Sequence, residues 1–260
     1  MDYDVFYEPE NGIEPHDQPP LSQTVLKRAR LATSLCFAVN GCAFASWVSR
    51  IPLIKHELAM SDSQLGFALF ALAGGALVGF PLAGVTCAKF GSKLVSIVLG
   101  VFFCFALAAI PFANRLPTLM VALACFGIFH GGMDVAMNAN GVEVEGHYGR
   151  SIMSSLHGMY SLGGLVGAAA GMLATRLNVS TTAHLLAAAG CFLMVICFAW
   201  TVMLADKPSG HIDHPIFAVP SKPLLAIGAI VTCAFLCEGA MGDWSGVYFA
   251  KRCGLRLNSR

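Results

Sequence analysis

Charge is what this chain has least of. Of its 260 residues, 12% are Asp, Glu, Lys or Arg, against 56% hydrophobic. That balance excludes an ordinary soluble domain, in which about a quarter of the residues are charged. The net charge is +1, so there is no electrostatic footprint for nucleic acid. The ten cysteines include no Cys-x-x-Cys pair, which leaves no metal or redox spacing. Cys36, Cys42, Cys104, Cys125, Cys191, Cys197, Cys233 and Cys237 lie inside apolar runs, where a thiol behaves as a small hydrophobe. No Gly-x-Ser-x-Gly and no His-Glu-x-x-His occurs, so nothing argues for an enzyme or a cofactor. The amino terminus lacks the basic start and short apolar core of a signal peptide. Residues 1–28, with Asp2, Asp4, Glu8, Glu10, Glu14, Asp17 and Pro19-Pro20, read as a disordered cytoplasmic tail.

What the chain does have is long apolar runs. A helix crossing a bilayer needs about 20 mostly apolar residues. Seven runs qualify: about 30–50, 64–87, 94–112, 117–140, 152–175, 183–205 and 224–249. The expectation is an all-α membrane protein. Residues 29–205 would form six spans, 206–223 a polar cytoplasmic linker, and 224–260 a seventh span with its tail. With the amino terminus inside, the inner segments hold Lys27, Arg28, Arg30, Lys89, Lys93, Arg150, Lys207 and Lys222. The outer loops hold Arg50, Lys55, Arg115 and Arg176. The bias favours a cytoplasmic amino terminus, although Lys251, Arg252, Arg256 and Arg260 then fall outside. Gly75/Gly79, Gly127/Gly131 and Gly163/Gly167/Gly171 recur at four-residue intervals, a spacing that lets helix backbones approach closely in lipid.

Three acids stand inside these apolar runs: Asp134, Glu238 and Asp243. An ionisable group at the centre of a spanning helix costs roughly 2.5–3.5 kcal/mol on the translocon scale and is a functional-site hypothesis by default. His130, Asp134 and Asn138 recur every four residues and share one helix face. Asp134 there is a candidate proton carrier, and His130 a partner that tunes it. A buried network fixing helix packing is the competing reading, and a His/Asp metal site has too few ligands to close. Glu238 lies roughly 21 Å along the seventh span at 1.5 Å per residue, near mid-depth. Asp243 is nearer the outer end and reads as hydrated. Asn40, near mid-depth in the first span, is either interhelical glue or a hydrogen-bonding site for a hydroxylated solute. His157 and Tyr160 share a face of the fifth span, near its inner end, as anchors or solute ligands. Trp47 and Trp244 fit belt aromatics at the outer boundary. Glu143 and Glu145 read as solvated acids after the fourth span.

The loop between the second and third spans reads Gly84-Val85-Thr86-Cys87-Ala88-Lys89-Phe90-Gly91-Ser92-Lys93. It resembles the signature loop of the major facilitator superfamily. Gly84, Lys89, Phe90, Gly91 and Lys93 match, while Ala88 replaces the acid and Ser92 a base. Three further stretches run from Gly132 to Gly141, from Ser154 to Gly164 and from Glu238 to Ser245. Together they resemble the YbjJ-type inner membrane proteins, near the fucose-permease-like branch. The resemblance implies twelve helices in two six-helix halves around a central cavity. This chain would supply the amino-terminal six-helix bundle plus one helix of the second half, and the expectation is a product truncated after the seventh helix. In that family the first helix of each three-helix repeat lines the cavity. This points to Asn40, to His130, Asp134 and Asn138, and to Glu238. Many proton-coupled members carry an arginine in the fourth helix. Residues 118–142 hold neither Arg nor Lys, so Asp134 or Glu238 would carry protons without that partner.

The expected function is therefore secondary active transport of a small polar solute, a sugar being one candidate, coupled to protons, in a bacterial inner membrane. Export of drugs or metabolites and a nonfunctional transporter fragment are the alternatives. A seven-helix photoreceptor is disfavoured, because residues 224–249 contain no lysine for a retinal Schiff base.

Overall fold

The computed structural model describes residues 21–206 and 222–252, and every described element is helical. α1 spans Gln23–Val48 and α2 Ile51–Glu57. α3 spans Asp62–Phe90, α4 Ser92–Ala109, α5 Leu116–Tyr148, α6 Met153–Arg176, α7 Thr181–Val202 and α8 Lys222–Arg252. Seven of these are long and apolar enough to cross a membrane, one for each run expected from the sequence; α2 is the short addition. The parts of the expected tail, linker and carboxyl-terminal segment at 1–20, 207–221 and 253–260 lie outside the described residues.

Local chemistry sets the helix ends. The Ser22 hydroxyl accepts from Val25 N–H and starts α1, inside the stretch read as a tail from its acidity. Residues 23–28 are therefore helical, because a serine cap precedes them. Ser61 and Gln64 close a capping box at the start of α3, and Ser180 caps α7. α3 and α4 are separated by Gly91 alone, at φ 85°, in a region that a side chain disfavours. Two glycines of the signature-like loop, Gly84 and Gly91, could make this turn. Only Gly91 makes it, while Gly84 lies inside α3.

The six long helices from α1 to α7 form two triplets: α1, α3 and α4, then α5, α6 and α7. α1 packs on α6 and α7, and α5 packs on α3 and α4, so the first helix of each triplet embraces the second and third of the other. α4 meets α7 and α1 meets α5 across the middle. The glycines drive the two closest pairings. A methyl group built on Gly75, Gly79 or Gly127 would overlap a backbone carbonyl of the facing helix in the α3–α5 pair. One built on Gly41, Gly163 or Gly167 would do the same in the α1–α6 pair. In lipid there is no hydrophobic drive between helices, so such close van der Waals contact is what holds them. The core between the helices holds Phe37, Trp47, Phe103, Leu119, Phe126 and Leu156. Phe67, Phe70, Leu165 and Met194 point outward, a surface suited to acyl chains and not to water.

We call the end of the bundle bearing the start of α1 the amino-terminal face and the opposite end the distal face. α8 meets the rest of the chain at its distal end. Val247 is buried, Gly246 lies against Pro52 of α2, and Lys251 pairs with Asp62 at 2.6 Å while Lys55 pairs with the same carboxylate at 2.9 Å. Its stretch from Leu224 to Met241 is exposed.

Candidate functional site

Asp134 is half-buried on α5. One turn on, Asn138 Nδ2 donates to the Asp134 carbonyl at 2.8 Å and to its carboxylate Oδ1 at 3.3 Å. This pair uses the four-residue spacing read from the sequence. Two residues of α6 come close from the side. Asp134 is within electrostatic reach of His157 and Tyr160, and Tyr160 is within reach of Glu238 on α8. Asn138 is the residue in hydrogen-bond contact with Asp134; the imidazole of His157, the phenol of Tyr160 and the second acid, Glu238, act on it or on one another only through space. No Lys or Arg forms an ion pair with either acid among the described residues. His157 and Glu238 are exposed, while Tyr160 is half-buried. Phe37 of α1 meets the His157 ring edge-on at 5.3 Å.

His130 does not join this group. Its ring is enclosed by aromatics, 4.9 Å from Phe44, 5.4 Å from Phe103 and 6.3 Å from Phe126. It makes no hydrogen bond to Asp134, and its Nε2 is buried without a partner. The imidazole within electrostatic reach of Asp134 is His157, on α6. Sharing a face in one helix does not fix which neighbour each side chain meets, and α5 presents the His130 turn to an aromatic wall. Asn40 is fully buried and donates to the His130 carbonyl at 3.4 Å. It ties α1 to α5 and leaves its own Oδ1 unpartnered.

The signature-like loop is held by aromatic rings and by a carboxylate from another segment. Lys93 Nζ lies 4.9 Å from the centre of the Trp200 ring and Lys89 Nζ 5.6 Å from that of Phe90, distances suited to cation–π attraction. Ala88 stands where the family carries an acid, yet a carboxylate is present from elsewhere. Asp206, just past α7, accepts from Ser92 N–H at 2.6 Å and Lys93 N–H at 3.1 Å. It thereby closes the amino terminus of α4, where backbone donors and the helix dipole favour an anion.

Several residues were misplaced by sequence reasoning. Glu145 lies on α5, which continues to Tyr148, and is not simply solvated. Its carboxylate accepts from Ile152 N–H at 2.6 Å, Met153 N–H at 2.9 Å and the Ser151 hydroxyl at 3.3 Å, fastening the start of α6. Trp47 stands at the distal end of α1 but is fully buried and does not face outward, and Arg50, between α1 and α2, is likewise a buried side chain. Asn140, which the sequence did not single out, is the best-connected polar side chain. It accepts from Thr33 at 2.9 Å and donates to Ser92 at 3.1 Å and to the Leu204 carbonyl at 3.0 Å. A further amide inside the apolar run, two residues beyond Asn138 and on the opposite side of α5, was the available signal.

The family is fixed by comparison. Residues 33–258 match the model of the Major Facilitator Superfamily. The chain is 32% identical over 238 residues to an uncharacterized MFS-type transporter of Yersinia pestis, covering 92% of this chain and 60% of that one. It is 34% identical to an uncharacterized transporter of Sinorhizobium fredii, covering 82% and 56%. It is 31% identical to the membrane protein MosC of Rhizobium meliloti, covering 85% and 54%. The chain belongs to the major facilitator superfamily, a class of membrane transporters and not of enzymes. It spans a little over half the length of these relatives.

Proposed function

We propose that this chain serves secondary active transport of a small polar solute, with Asp134 as the group that exchanges protons and Asn138, His157, Tyr160 and Glu238 as its polar surroundings. The observation that carries the reading is the Asp134 carboxylate itself. It is hydrogen-bonded by an amide on its own helix and lies within electrostatic reach of an imidazole and a phenol on α6, with no Lys or Arg paired to it among the described residues. A carboxylate so placed can gain and lose a proton as solute and water enter. Asn40 and His130 belong to the wall behind it. The YbjJ-type branch, with a sugar-like solute, remains the reading we favour. So do a bacterial inner-membrane location, a cytoplasmic amino-terminal face and a division into a six-helix half, a linker and the first helix of a second half.

The test is solute counterflow in proteoliposomes, run with a panel of monosaccharides, with and without an inward acid gradient. Asp134→Asn is expected to abolish the effect of the gradient while leaving the protein folded. Uptake and gradient dependence that survive unchanged reject the role. A second reading is that transport requires further helices beside α8. It is supported by the exposure of Leu224–Met241 and by the chain's span of 54–60% of its relatives. Counterflow that appears only when those helices are supplied on a second polypeptide would favour it.

A further inference from the structure

Six Lys and Arg side chains stand at the amino-terminal face: Lys27, Arg28 and Arg30 on α1, Lys89 at the end of α3, Lys93 at the start of α4, and Arg150 between α5 and α6. Lys27, Arg28, Lys89 and Arg150 are exposed, and the other two are half-buried. Local packing gathers them. Arg30 and Arg150 each hold a guanidinium near the Tyr148 ring, 5.5 and 5.6 Å from its centre, and Arg30 Nη2 donates to Ser155 Oγ at 3.1 Å. Three residues past Arg30, the Thr33 hydroxyl donates to Asn140, which donates in turn to Ser92, the neighbour of Lys93. Gly91 alone separates the helix of Lys89 from that of Lys93. The cations therefore belong to one end of the bundle and come from both helix triplets.

None of the six forms an ion pair among the described residues. The described acids of this face are engaged elsewhere. Glu143 faces His147 at 3.4 Å, Glu145 accepts from Ile152 and Met153 N–H, and Asp206 accepts from Ser92 and Lys93 N–H. Basic residues at one end of a bundle set its orientation in a membrane, and for that they need no partner. The sequence supplies one nonetheless. Residues 1–20 hold six acids, Asp2, Asp4, Glu8, Glu10, Glu14 and Asp17, and no Lys or Arg. They join the described chain at Leu21, next to the Ser22 cap of α1, and so lead into this same face. Twenty residues span at most about 70 Å when extended, several times the roughly 10–12 Å width of a helix. Every one of the six cations is within that range.

We propose that the amino-terminal face is a docking surface for the chain's own residues 1–20, whose carboxylates pair with cations of both triplets. Single exposed ion pairs contribute little. Several on one tethered segment act together, because the tether makes each further encounter intramolecular. Docking covers the basic face and ties the α3–α4 turn to the start of α6 across the bundle. It is separate from the Asp134 group, which lies deeper on α5 and α6, and does not depend on its role.

The test uses the full chain in nanodiscs containing phosphatidylglycerol, treated with a carbodiimide that joins a carboxylate directly to a lysine amine. Crosslinked peptides are identified by mass spectrometry from the band of a single copy. Crosslinks from the six acids to Lys89 or Lys93 are expected at about 0.01 M salt, where the Debye length is about 30 Å, and are lost at about 1 M, where it is about 3 Å. Lys27 is too close in sequence to be informative. A second readout leaves the described helices untouched. A nitroxide on Asn11→Cys, in a background with the native cysteines replaced, is expected to be held at low salt. It is expected to be freed when Asp2→Asn, Asp4→Asn, Asp17→Asn, Glu8→Gln, Glu10→Gln and Glu14→Gln are combined. The proposal is overturned if no crosslink reaches beyond Lys27, if crosslinks form only between copies, or if the label moves alike with acidic and amidated segments. It is also overturned if crosslinks appear only after phosphatidylcholine replaces the anionic lipid, because lipid headgroups then take the face.

Discussion

The two ends of the bundle solve one problem in opposite ways. At the amino-terminal face, acids and amides close every exposed donor they meet. Asp206 caps α4, Glu145 caps α6, and Asn140 joins Thr33, Ser92 and Leu204 across three helices and the segment just past α7. At the distal face the buried side chains are donors, and Trp47, Arg50, Thr181 and His184 leave four atoms without acceptors. A buried polar group without a partner costs about 1–3 kcal/mol. The amino-terminal end leaves Ser96 Oγ on α4 unpartnered, whereas the distal end leaves four atoms so. Both ends sit on the same glycine-tightened framework, in which α1–α6 and α3–α5 approach to backbone contact. The difference lies in the side chains and not in the helix geometry.

That contrast can be broken most severely at Asn140. Replacement by Leu keeps the volume but strands Ser92 and the Leu204 carbonyl, while Thr33 keeps its bond to the Ala29 carbonyl, and is expected to destabilise by about 2–4 kcal/mol in thermal or denaturant unfolding. A loss below about 0.5 kcal/mol would mean that water reaches this network. Asp206→Ala is expected to cost less, about 1 kcal/mol, as for other lost helix caps. It should also speed amide hydrogen exchange at Ser92 and Lys93, whose N–H groups it frees. The smallest effect belongs to the distal end. Thr181→Val is expected to leave stability unchanged or to raise it by up to about 1 kcal/mol, because the unpartnered hydroxyl it removes is itself a cost. A clear loss would show that Thr181 is already satisfied, and the two ends would then be alike.

The spans were readable from sequence because about 20 consecutive apolar residues have few alternatives to crossing a bilayer. Their ends were not, since helices continue past the apolar run wherever a cap such as Ser22 or a hydrated turn allows. α2, at seven residues, was too short to register. Asp134 and Asn138 were legible as a pair because an i, i+4 relation is local. His130 shares that relation and still faces Phe44, Phe103 and Phe126, because partners on other helices follow from packing. Trp47 and Arg50 were misread for a related reason. Position near the end of a span gives depth along the membrane normal, and says nothing about whether a side chain turns inward or outward.

Entry of water to the Asp134 group is the point on which the functional account turns, and thiol accessibility measures it most directly. In a background with the ten native cysteines replaced, single cysteines at positions 134 and 238 are treated in membranes with a water-soluble, membrane-impermeant thiol reagent. The account predicts labelling at both positions, slowed by bound solute. If neither position reacts in intact or opened membranes while a cysteine at exposed position 62 does, the carboxylates are packing elements and the transport role assigned to Asp134 is wrong.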